Sequence, residues 1–227
     1  MTGFVRHDPL MTRTDATNPA TNTPTEDPRP IFRKAALLTG EVIEGVPSEL
    51  LRAPTSLDWD VRELMEHLVM VLRRVAAAGR NEPPATWPVD ASDVADDGFA
   101  AAWRGALGDA EEGWRDDAAL DRPTELPWGT FPGREVLGVY TNEIVVHAWD
   151  LARATGQSVE WPDDVVALAD VTIRAQLPMA DRSQMWAELR ASLPPEVEWE
   201  DPFGPAVEVP EDAPAIDRLV AWNGRQP

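Results

Sequence analysis

The chain has 227 residues, 43% of them hydrophobic, with 40 acidic against 20 basic residues and no cysteine. That length fits one domain with or without a tail, and the missing cysteine removes disulfide frameworks, cysteine-rich zinc sites, iron–sulfur clusters and a protein thiol nucleophile. A net charge of −20 argues against nucleic acid, whose binding draws on cationic contacts to phosphate, and equally against an anionic membrane surface.

Residues 1–30 are rich in Thr, Pro, Asn and Asp and show no hydrophobic period, so they read as a disordered tail that cannot offset its ordering entropy by burial. His7 falls in this tail, and Met11 is a second candidate start beside Met1. The segment lacks the apolar core of a signal peptide, and no apolar run approaches the ~18 residues of a membrane helix. The chain therefore reads as cytoplasmic. From Ile31 a helical stripe begins, with Ile31, Ala35, Leu38, Val42 and Val46 spaced by three or four residues and stopped by Pro47. A second helix opens near Asp58 or Asp60, where Glu63 completes a capping box with Asp60, and runs through Leu64, Leu68, Leu72 and Val75 to Gly79. Residues 81–94 read as a Pro-rich loop. A third helix carries Phe99, Trp103, Ala106, Ala110 and Trp114.

Residues 82–125 hold twelve acids and three arginines, which reads as a solvated face rather than a metal cluster. Residues 126–133 form a further loop, with no alternating strand pattern around it. A fourth helix ends at Thr155-Gly156, where Gly suits the left-handed position after a helix. Four helices with short to medium connections predict an all-α four-helix bundle, its core over residues 31–156. An extension over 157–227 follows, with a helix opening at Pro162, an extended stretch over 201–210 and a short helix from Ile216 to Trp222. There is no internal repeat, P-loop or dinucleotide fingerprint.

The fourth helix carries the chemistry. At about 100° per residue, and with Val136 as zero, Glu143 falls at about −20°, His147 at about +20° and Tyr140 at about +40°. An acid and an imidazole thus lie one turn apart in the middle of an apolar stripe. A lone buried carboxylate costs several kcal/mol unless paired or neutralised. The two residues either satisfy each other or share a divalent metal, for which both are standard ligands. His67 in the second helix, at the border of the Leu64–Leu68–Val71 stripe, is the one further histidine outside the tail and a candidate third ligand. Asp150, at about −40°, either orients a ligand or pairs with Arg153 or Arg134. Arg218 and Arg225 read as surface residues that could reach an acidic substrate or cofactor.

Trp59-Asp-Val-Arg-Glu-Leu-Met-Glu-His67-Leu resembles the W-x-V-x-x-L-x-x-H-L segment of the mycothiol-dependent maleylpyruvate isomerase metal-binding domain family, a group of DinB-like four-helix bundles. Glu143-Ile-Val-Val-His147-Ala-Trp-Asp-Leu-Ala152, followed by Ala-Thr-Gly-Gln157, is similar to the family's E-x-x-x-H-x-W-D-L-A-x-A-T-G segment. The ending from Phe203 to Arg225 resembles the tail of an actinobacterial subgroup. The resemblance spans residues 31–227. It implies His67, Glu143 and His147 as ligands of a divalent metal, zinc above all, and mycothiol as a thiol cofactor. Relatives often carry T-P-C before the second-helix tryptophan; Pro54-Thr-Ser-Leu-Asp-Trp59 has no such Cys, which is not one of the family's metal ligands.

Three protein ligands leave a coordination position open, the mark of a catalytic site. A thiol entering there is held as thiolate, which suits a chain with no thiol of its own. The expected partners are a small-molecule thiol and an electrophilic substrate, in S-transfer or isomerisation through a transient adduct. A metal-dependent hydrolase using activated water and a non-catalytic metal-binding bundle need the same ligands and stay open at this level.

Overall fold

The computed structural model describes residues 27–192 and 203–227. Residues 1–26 of the expected tail, with His7, Met1 and Met11, lie outside the described residues, as do residues 201 and 202 of the expected extended stretch. The first helix, α1 (Arg29–Glu44), opens inside the segment read as tail. Pro28 precedes it and Pro30 sits in its first turn, where a missing N–H costs the helix nothing.

Helices α2 (Val61–Gly79) and α3 (Phe99–Gly113) follow the predicted stripes, and the capping box is present. The Asp60 carboxylate accepts the Glu63 N–H, and the Glu63 carboxylate accepts the Asp60 N–H, each at 2.9 Å. After a short α4 (Ala118–Asp121), the long α5 (Gly133–Thr155) completes the bundle. Its end is a Schellman motif: Gly156 has φ +70°, Gln157 donates to Ala152 and Gly156 to Arg153. The extension adds α6 (Asp163–Gln176), α7 (Ser183–Ser192) and α8 (Ala215–Trp222).

Helix α1 packs on α5 and α3, and α2 on α3 and α5. Two tryptophans pin α3: Trp103 Nε1 donates to the Ala36 carbonyl of α1, and Trp114 Nε1 to the Val75 carbonyl of α2, both at 2.8 Å. At their C-terminal ends α2 and α3 come close, where a Cβ on Gly79 would meet the Gly113 backbone at 2.8 Å.

The expectation of a strandless loop before α5 is corrected. Pro123–Leu126 (β1) and Gly129–Pro132 (β2) form an antiparallel hairpin, pairing Thr124 with Phe131 and Leu126 with Gly129. Prolines at the outer ends of both strands mask the pattern, yet Thr124, Leu126 and Phe131 alternate inward and are buried.

The extension decides how α5 is used. Helix α6 covers it along one side and α8 touches both α5 and α6, so α5 is buried on most of its circumference, Thr141, Asn142 and Asp150 included. No described helix is long and apolar enough to cross a membrane.

Candidate metal centre

Histidine 67 projects from the second turn of α2, whose start is fixed by the Asp60–Glu63 box, while Glu143 and His147 project one turn apart from the middle of α5. Packing of α2 on α5 brings the three together. Glu143 Oε1 stands 3.1 Å from His67 Nε2 and 3.2 Å from His147 Nε2. One ligand atom from each residue lies within 4.8 Å of the others. The imidazole rings meet edge to face, with centroids 4.7 Å apart. Trp59 stands over both, its ring 4.8 Å from that of His67 and 5.9 Å from that of His147.

The set fits a divalent metal in chemistry, and its two separations from Glu143 fit in spacing. Two neutral imidazoles and a carboxylate are borderline N and O donors. Ligand atoms arranged tetrahedrally at ~2.0–2.2 Å from one ion stand about 3.3 Å apart, close to the two separations from Glu143. Local exposure is low: the side chains of His67, Glu143 and His147 are only 11%, 12% and 9% accessible.

Behind the three candidate ligands lies a buried carboxylate. His147 Nδ1 is 3.2 Å from Asp150 Oδ2, so Nδ1–H donates to the carboxylate and Nε2 is left facing Glu143. Asp150 is fully buried. It also accepts Ser56 Oγ–H at 2.9 Å, and Arg225 Nε and Nη2 at 3.3 and 3.2 Å. Arg134 instead pairs with Asp121, and Arg153 lies over the Trp149 ring, so Asp150 pairs with neither arginine and its carboxylate faces the His147 ring.

Charge runs through this cluster. Burial works against a charged Glu143, but the imidazoles of His147 and His67 hold its carboxyl well below the usual carboxylate range. Burial also disfavours a charged His147; Glu143 and the bond to Asp150 outweigh it and push the imidazole up to about 9. For Asp150, burial is overcome by the His147 bond and the Arg225 guanidinium, and its pKa is lowered.

Every candidate ligand read from the sequence is therefore in one place. Of the two arginines read as surface residues, Arg218 is exposed and donates to the Ala213 carbonyl. Arg225 departs from the expectation: it turns inward to Asp150, 12% accessible, because the chain reverses at Gly224 and returns it to α5. Ser56 and Arg225 have no local signal for this role, since each meets Asp150 only through the fold. Trp59 stands in the quoted motif, but spacing alone does not say that it faces both histidines.

Residues 32–152 match the family described as the mycothiol maleylpyruvate isomerase N-terminal domain. Two uncharacterized proteins of Mycobacterium tuberculosis, one from strain CDC 1551 / Oshkosh and one from strain ATCC 25618 / H37Rv, are each 28% identical to this chain over 203 residues, covering 88% of it and 98% of their own length. No solved structure matches the chain.

Proposed function

The chain belongs to the mycothiol maleylpyruvate isomerase N-terminal domain family, and from that premise we propose that it binds a divalent metal, zinc by preference, and uses it with mycothiol in S-transfer to, or isomerisation of, a small electrophile. The observation that carries this reading is the convergence of His67 Nε2, His147 Nε2 and the Glu143 carboxylate from two helices. A divalent metal there supplies positive charge that favours the thiolate form of an incoming thiol.

The chain's own groups do the rest. With a metal bound, His67 and His147 would each offer a ring nitrogen and Glu143 a carboxylate oxygen, so three protein donors would leave room for an external group. Asp150 keeps the His147 ring in the Nδ1–H form. Trp59 walls the site over both imidazoles and excludes water from that side. No protein cysteine competes for the position, which agrees with a thiol that arrives as a cofactor.

Titration of the cobalt-substituted protein with mycothiol tests the reading. The expected result is a new near-ultraviolet thiolate-to-cobalt absorption that saturates. A cobalt-loaded protein with no spectral response to mycothiol overturns the thiol reading and leaves a metal-binding bundle or a metal-dependent hydrolase.

A further inference from the structure

We propose that Arg225 is a positioning residue of the metal centre: through Asp150 it fixes the His147 ring, so the C-terminal extension completes the site that α2 and α5 begin. The inference rests on the reading of His67, Glu143 and His147 as metal ligands.

The side chain reaches Asp150 by a set route. Helix α8 ends in a Schellman motif: Gly224, φ +83°, donates to the Ala221 carbonyl at 3.0 Å, and the Arg225 N–H donates to Val220 at 2.9 Å. This left-handed turn sends the Arg225 side chain back toward α5. Two further contacts lock the turn. Asn223 exchanges amide hydrogen bonds with Asn142, both at 3.1 Å, next to Glu143 in sequence. The buried Arg182 donates to the carbonyls of Gly204 and Trp222, both at 2.6 Å. The end of α8 is thus held on α5 at Asn142 and at Asp150, and these two positions bracket the two ligands that α5 supplies.

At Asp150 the pairing is of a kind that positions. Arg225 Nε and Nη2 both address Oδ2, the oxygen that accepts His147 Nδ1–H, while Ser56 holds Oδ1. The carboxylate plane is therefore fixed at both oxygens. With Asp150 fully buried and Arg225 only 12% accessible, the pair lacks the solvent freedom of the surface pair Arg33–Glu111, 58% and 44% accessible. A fixed acceptor holds the imidazole plane, and partners of this kind behind a metal-ligating histidine raise metal affinity by ~10–100-fold.

Cobalt(II) titration of the full-length protein, read as affinity by chelator competition and as the visible d–d spectrum, tests this. Arg225→Gln and Asp150→Asn are each expected to weaken cobalt binding by ~10–100-fold and to alter the spectrum. Arg225→Lys, which keeps the charge but not the fork, is expected to recover part of the loss. The double variant Asp150→Asn/Arg225→Gln is expected to lose no more than about twofold beyond the weaker single variant, as residues acting in one chain do. Affinity within about twofold of wild type for Arg225→Gln, with an unchanged spectrum, overturns the proposal, as does a double-variant loss equal to the product of the two single losses. Arg225→Gln takes the guanidinium away from the buried Asp150 carboxylate, which keeps only His147 and Ser56, and can fail to fold. Arg225→Lys and the double variant then carry the test, and wild-type affinity and spectrum in both overturn it. Wild-type protein that binds no cobalt removes the metal reading itself, an outcome distinct from wild type binding tightly with the variants unchanged.

Discussion

At the scale of single residues, the centre is a balance of buried charge. His147→Ala removes a donor from a three-donor set, so metal content after purification, measured by inductively coupled plasma mass spectrometry, is expected to fall from about one ion per chain to background. Equal content in both proteins overturns the site. The metal-free protein carries a pH signature of the same groups. The His147 pKa rises on folding from 6.5 to about 9, so the associated stability is complete below about pH 6.5 and disappears as pH climbs through 9. Its size is on the order of 3 kcal/mol, a sum shared with Glu143 and not added to it. Glu143 and Asp150 are lowered, so their contribution is present above the ordinary carboxylate range and is lost as pH falls through their lower folded values. Urea denaturation in chelator is thus expected to show greatest stability near pH 5–6.5 and a marked loss by pH 9.5. That alkaline loss is expected to shrink in His147→Ala; an equal loss in the variant removes His147 as its source. The candidate ligands on α5 were legible in the sequence, because an acid and an imidazole one turn apart on an apolar stripe have few uses. Ser56 and Arg225 were not, since they lie 94 and 75 residues from Asp150 and nothing local marks them.

At the scale of elements, local rules sufficed where an element carries its own signals. The Asp60–Glu63 box, Gly156 and Pro162 set helix ends that the structure reproduces, each by satisfying or sparing backbone groups nearby. The hairpin of β1 and β2 escaped such rules, because four-residue strands hold too few alternations to stand out and their burial depends on the helices beneath. The extension is held by Arg182, a buried cation that donates to the carbonyls of Met179, Gly204 and Trp222 and lies 5.5 Å from the Trp222 ring. No carboxylate among the described residues pairs with it, and burial pushes its pKa down to about 10. Arg182→Met leaves three carbonyls without this donor and is expected to cost about 2–4 kcal/mol in urea denaturation. Amide exchange is expected to accelerate first in residues 203–227. Uniform acceleration across the bundle instead contradicts the assignment of Arg182 as a clasp of the extension.

At the scale of the whole molecule, a net charge of −20 makes self-repulsion a standing cost of compactness. Raising sodium chloride from ~10 mM to ~0.5 M shortens the screening length from about 30 Å to a few ångströms. The thermal midpoint is therefore expected to rise with salt, and a falling midpoint would show that attractive surface pairs such as Arg73–Asp93 outweigh the repulsion. The sequence by itself determined the helical class, the stripes of the bundle, the caps, and the placing of Glu143, His147 and Asp150 on one face. Each of these depends on residues within a turn or two of one another, where periodicity and capping chemistry act. Only the tertiary structure decided that His67 meets that face, that α5 is buried nearly all round, and that the far end of the chain returns Arg225 to Asp150. Those contacts join residues tens of positions apart, and their geometry is set by how whole helices pack, which no local spacing encodes.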